Sequence, residues 1–237
     1  MLLRIIYTLC AVLLCACSGS DNVVKGSGKI VKTDRTMNEF TNIELIGTGT
    51  LVLKQGDKPA LTIETDDNLI EYIRTDVSGG TLYIEVLKNA TLSPSKGLLY
   101  FVTVKDLNSV KVSGAAVLRT LGEIESNALT VSLSGAGTLN MTVDAKELNV
   151  QISGTGDAIF KGEAKQEKID VSGAGSFKGF DLVSKNASVS MSGVGNAEIN
   201  ASEALNVEIS GVGSVLYKGT PSLKQNITGV GAVRHAE

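Results

Sequence analysis

Val150-Gln151-Ile152-Ser153-Gly154-Thr155-Gly156-Asp157-Ala158-Ile159-Phe160 is the stretch that decides the fold. Apolar residues stand at every second position on both sides of a Ser-Gly-x-Gly tetrad: Val150 and Ile152 before it, Ala158 and Phe160 after it. Period-two alternation places such residues on one face of a strand, so the segment reads as two strands that share an inward face across a glycine corner.

The pattern repeats along the chain. The first glycine of the tetrad or a near variant recurs at Gly114, Gly135, Gly154, Gly173, Gly193, Gly211 and Gly229, with spacings of 21, 19, 19, 20, 18 and 18 residues. Ile46-Gly47-Thr48-Gly49 is an earlier relative. Three residues before each Ser or Thr stand Val110, Val131, Val150, Ile169, Val189, Val207 and, breaking the column, Gln225. One residue before stand Val112, Leu133, Ile152, Val171, Met191, Ile209 and Ile227. Five residues after stand Leu118, Leu139, Ala158, Phe177, Ala197, Val215 and Val233. The glycines share this inward parity, where a missing Cβ permits a tight corner or a close backbone approach. The Ser column is outward, and its hydroxyls are expected to form a ladder from coil to coil.

A helix is excluded, because the apolar residues lack i, i+3, i+4 spacing and each interior glycine would cost about 1 kcal/mol. Hairpins in an up-and-down barrel would alternate in the same way but need not repeat one corner at one phase. A stacked solenoid must, since each coil buries its apolar columns against its neighbours. The expected fold is all-β: a parallel β-helix-like solenoid over 106–237 with coils of 18–21 residues, right-handed by the rule for parallel crossovers.

Residues 27–105 are less regular and are expected to form a β-rich N-terminal cap. Strand-like runs cover Phe40 to Leu45, Thr50 to Lys54, Ala60 to Thr65, Thr81 to Leu87 and Leu99 to Val104, with a helical turn from Asp67 to Tyr72. The segment Lys88 to Gly97, which contains Pro94, is expected to be the mobile loop.

Upstream lies an address. Arg4 precedes an apolar run from Ile5 to Ala16 that is too short to span a bilayer and fits a signal peptide over 1–16. Leu14-Cys15-Ala16-Cys17 resembles a bacterial lipobox, which implies cleavage before Cys17, lipidation of its sulfur and a flexible tether over 17–26. Ser18 after the Cys points, by analogy with lipoprotein sorting, to the outer membrane of a Gram-negative cell. Two or more acyl chains hold a protein firmly to a membrane. Cys10 and Cys15 would leave with the signal and Cys17 would be capped, so a disulfide framework, a Cys nucleophile and a Cys-based zinc site are excluded.

The 237-residue chain has 22 basic and 25 acidic side chains, a net charge of −3, which excludes a basic nucleic-acid footprint. Its single histidine, His235, leaves little room for His-dependent catalysis. Calcium-binding nonapeptide repeats need an Asp in each turn. Here only Asp157 follows a tetrad, so no metal or cofactor is expected. Without a following helix, the Gly-x-Gly spacing is not a dinucleotide loop.

Gly26-Ser27-Gly28-Lys29-Ile30-Val31, Phe40-Thr41-Asn42-Ile43-Glu44-Leu45 and Leu61-Thr62-Ile63-Glu64-Thr65-Asp66-Asp67-Asn68-Leu69, followed by the serial tetrads, resemble the auto-transporter adhesin family with the head GIN domain, from about residue 26 onward. The resemblance implies a β-helix-like fold and an exported or lipid-anchored adhesin of a Gram-negative envelope. It carries no catalytic residues. Ala116 departs from it where a second Gly is usual, which marks an irregular first coil.

The expected function is therefore that of a non-enzymatic adhesin or surface-interaction module, anchored through Cys17 in the outer membrane and exposed at the cell surface. Its expected partners are a surface glycan or protein, and itself through the C-terminal coil. A structural or assembly lipoprotein facing the periplasm is the alternative. A third reading, a polysaccharide-cleaving β-helix enzyme, would need carboxylates converging on a bond, with Asp66, Asp67, Glu71 and Arg74 as its candidates. Sugar faces also use aromatic rings, so a ligand site is expected at Tyr72, Tyr83, Tyr100 and Phe101 in the cap region or along Lys88 to Gly97.

Overall fold

The computed structural model describes residues 23–88 and 90–236. Signal segment, Cys17 and the start of the tether lie outside the described residues. The chain runs through β1 (Val23–Lys25), β2 (Ile30–Arg35), β3 (Asn42–Gln55), β4 (Ala60–Asp66), a 3-10 turn (Asp67–Tyr72), β5 (Ile73–Ser78), β6 (Thr81–Val86), β7 (Thr91–Ser93) and β8 (Leu99–Val104). The repeats follow as β9 (Ser109–Leu133), β10 (Ala136–Ile152), β11 (Thr155–Val171), β12 (Ala174–Met191) and β13 (Val194–Ile209). The chain then passes through β14 (Val212–Lys218), β15 (Ser222–Ile227) and β16 (Val230–His235).

Each of β10 to β13 runs from one tetrad to the next, so one strand is one coil. Neighbours are parallel and in register: Val131, Val150 and Ile169 lie side by side across β9, β10 and β11. This is the parallel solenoid that the repeat implied. The inward columns are its core, with Val110, Val131, Val150, Ile169, Val189 and Val207 all at most 1% exposed. Gln225 lies in β15, where every residue is exposed.

The tetrad corners are held by the backbone. Ser153 and Gly154 both donate their N–H to the Leu133 carbonyl, at 3.0 and 3.2 Å, and Thr155 N–H donates to the Gly135 carbonyl at 2.8 Å. The same bonds recur one coil on at Ser172, Gly173 and Ala174. The expected hydroxyl ladder is largely replaced by these bonds. Ser134 Oγ donates to Ser113 Oγ at 3.0 Å, while Ser153 Oγ turns to the Leu133 carbonyl. Between the two glycine readings, close approach decides. A Cβ on Gly135, Gly154, Gly173, Gly193, Gly211 or Gly229 would run into the carbonyl of the glycine one coil below. Gly114 stands likewise over Gly47, so Ile46 to Gly49 belongs to the same corner, and Ala116 stands over Gly49.

β3 is the first coil. Its edge away from β9 is paired in two halves, Asn42–Ile46 with β6 and Thr50–Gln55 with β8. β5 closes a hairpin on β6, while β4 and β2 extend the β8 side antiparallel. The expected tether to residue 26 enters the fold at Val23: β1 pairs with β7, and Gly26 N–H donates to the Ser93 carbonyl at 3.0 Å. The segment expected as a mobile loop thus contains a strand. It is further pinned by Asp66, whose buried carboxylate accepts from Ser95 N–H at 2.8 Å and Ser95 Oγ at 2.6 Å.

Candidate functional site

The four residues considered for bond cleavage do not form one site. Asp66 is fully buried and also accepts from Gly28 N–H at 2.7 Å. Its bonds, with the Ser95 hydroxyl foremost, hold the carboxyl below the usual range. Asp67 accepts from Ser27 Oγ at 2.6 Å and pairs with Lys29 at 3.2 Å, and both lower its pKa. Asn68 completes the clamp, accepting from Ser27 N–H and donating to the Lys25 carbonyl, both at 2.8 Å. The work of these groups is to hold the N-terminal segment. Glu71 is exposed on the 3-10 turn, and Arg74 is on β5.

The aromatic residues separate in the same way. Tyr100 is fully buried, which drives its phenol pKa far up, and its hydroxyl donates to the Thr48 carbonyl at 3.3 Å. Tyr72 and Phe101 are half-buried. Tyr83 is half-buried too, but it lines an open cavity of about 220 Å³ with Arg74, Asp76, Ser78 and Glu85.

This cup is built by the β5–β6 hairpin. Antiparallel register sets Arg74 opposite Glu85 and Asp76 opposite Tyr83. Period two turns these residues outward and sends Ile73, Leu82 and Ile84 into the core, each at most 3% exposed. The outer floor is therefore carried on a rigid, packed base. Among the described residues, no ion pair engages Arg74, Asp76 or Glu85.

The row continues onto the solenoid. Tyr83 lies beside Glu44 of β3, and Glu44 beside Lys111 of β9. Lys111 Nζ is 2.8 Å from Glu44, a bond that raises the Lys111 pKa. Beyond Lys111, Ser132, Gln151 and Asp170 line a shallow trough of about 350 Å³ with the Ser column. Sequence reading singled out Tyr83 and Arg74 but missed Asp76, Glu85, Glu44 and Lys111. The available signal was outward parity on strands already recognised, and it gave no pairing partner.

The remaining candidates fall outside this row. Asp157 bonds Lys178 of the next coil at 2.9 Å. Among the described residues, no group of three or more His, Cys, Asp and Glu could hold a metal ion. His235 packs edge-on against Tyr217, with ring centroids 5.1 Å apart, in the last strand. Among the described residues, no helix is long and apolar enough to cross a membrane.

Comparison with known proteins agrees with this architecture. A family model described as "Putative auto-transporter adhesin, head GIN domain" matches residues 39–221. A structure described as a putative adhesin from Bacteroides fragilis is 26% identical, with a TM-score of 0.87 over 90% of this chain and 100% of that one. A putative adhesin from Parabacteroides merdae is 22% identical, with a TM-score of 0.72 over 91% of this chain and 100% of its own. A protein from Parabacteroides distasonis described as a putative lipid binding protein is 21% identical, with a TM-score of 0.70 and the same coverage. The latter two share the fold. No curated protein matches the chain in sequence.

Proposed function

The chain belongs to the "Putative auto-transporter adhesin, head GIN domain" family, and from that membership we propose that it is a non-enzymatic interaction module of the cell envelope, held by lipid on Cys17. The observation that carries this reading is the family match, which runs from just before β3 through the rest of the N-terminal strands and most of the repeats. Leu14-Cys15-Ala16-Cys17 supports the anchor, and the shortness of the apolar run before it supports export. The dispersal of Asp66, Asp67, Glu71 and Arg74 into separate roles supports a binding role over bond cleavage. A rigid solenoid carried on a tether suits presentation of a surface to a partner, because its outward side chains stand at fixed intervals. The partner is a surface glycan or protein.

The test is protease treatment of intact and lysed cells. Digestion on intact cells is the expected result and places the solenoid outside. Protection until lysis would overturn surface adhesion in favour of a structural or assembly role facing the periplasm. Labelled palmitate should be incorporated by the wild type and not by Cys17→Ala. Equal labelling of the two would remove the anchor.

A further inference from the structure

We propose that the cup on the β5–β6 hairpin binds a neutral pyranose ring of a polysaccharide, an assignment that rests on the interaction-module reading and names its ligand and site. The cup combines one half-buried aromatic ring with a guanidinium, two carboxylates and a hydroxyl: Tyr83, Arg74, Asp76, Glu85 and Ser78. A pyranose has an apolar C–H face and a rim of hydroxyls that both donate and accept. Tyr83 supplies rigid amphipathic contact area for the first. Arg74 donates only, while Asp76 and Glu85 only accept, so together they meet both halves of each hydroxyl.

The polar groups are uncommitted. Arg74 and Glu85 are direct cross-strand neighbours, yet no ion pair forms between them within the 4.0 Å of a salt bridge. The hairpin is fixed from beneath by Ile73, Leu82 and Ile84, so the cup is held in shape before ligand arrives. At about 220 Å³, it takes one ring of a chain rather than a folded protein surface.

Charge selects among sugars. Two carboxylates against one guanidinium repel a uronate, sulfate or phosphate and accept a neutral sugar. The adjoining row of Glu44, Lys111, Ser132, Gln151 and Asp170 gives the rest of a polysaccharide strand a polar track across successive coils.

The test is saturation-transfer NMR and calorimetry on the chain with glucose, galactose, mannose and N-acetylglucosamine, then cellohexaose and maltohexaose, with polygalacturonate as the anionic control. The expected result is binding of at least one neutral probe with a dissociation constant of about 1 mM. Tyr83→Ala and Asp76→Asn should each weaken it about tenfold or more while thermal unfolding stays unchanged. Absence of binding by every neutral probe, equal binding by Tyr83→Ala, or preference for polygalacturonate would overturn the proposal. Adhesion of cells with and without the gene is measured in parallel. Adhesion that depends on the gene but not on Tyr83 sinks the sugar site alone, whereas adhesion independent of the gene sinks the interaction module.

Discussion

Glu167 stands between Leu148 and Ala187 in a column that continues to Leu129 on one side and Leu205 on the other. It is 3% exposed, and neither carboxylate oxygen has a hydrogen-bond partner. Burial pushes its carboxyl up to about 8, and the nearby Ser184 hydroxyl, which donates to the Asn200 carbonyl, pulls it only partway back. The unfolded value is about 4.3, so between these limits the native state keeps a proton that the unfolded chain releases. Stability therefore falls as pH rises through that window and levels off above about 8. Glu167→Leu restores the column and should stabilise the protein at pH 8 by about 4–5 kcal/mol, since proton affinity differs by nearly four tenfold steps and each is worth about 1.4 kcal/mol. Urea unfolding at pH 5 and pH 8 checks this, and a gain equal at both values would contradict it. Asp66 has the opposite sign. Its lowered pKa gives stability that is present above about 4 and is lost as pH falls through the folded value. Asp66→Asn should speed hydrogen exchange around Gly28 and Ser95 while leaving the repeats protected.

At the scale of the element, the corner and the coil explain different residues. Gly154 needs no unusual φ; what excludes a side chain there is the Gly135 carbonyl beneath it. A backbone atom cannot step aside as a flexible side chain can, so Gly154→Ala should cost about 1–3 kcal/mol in chemical unfolding. Thr155→Ala, one residue on and exposed, should cost little by comparison. Inside the coils, volume is balanced between columns. Phe160 and Phe177 stack at 5.6 Å, and Gly179 is the size it is because a Cβ there would strike the Phe177 ring. That stack is bracketed by Ala158 and Ala197 in the same column as Phe177. The parity of every one of these positions was legible in the sequence, since alternation is a local property. Pairing of a large residue with a small one in the next coil was not, because it depends on how two strands align.

For the whole molecule, the two ends differ. At the N-terminal end, both halves of β3 are paired on the side away from the repeats. At the other end, among the described residues, β15 pairs only with β13 and β16 only with β14. Leu223, Ile227 and Val230 are exposed there at 37%, 37% and 71%. Unpaired strand edges with apolar side chains favour pairing with another edge. Reversible self-association should appear in sedimentation velocity as concentration rises, and Ile227→Lys should weaken it; a strictly monomeric wild type at high concentration would contradict this. By itself, the sequence determined the coil period, the inward columns, the glycine corners and a helical turn after β4, because each is written in spacings no longer than one coil. The tertiary structure alone decided the Asp66 clamp, the buried Glu167 and the Tyr83 cup. Those depend on which residues stand side by side in space, as Tyr83 does with Glu44 and Glu44 with Lys111, and strand register sets that only once the chain has folded.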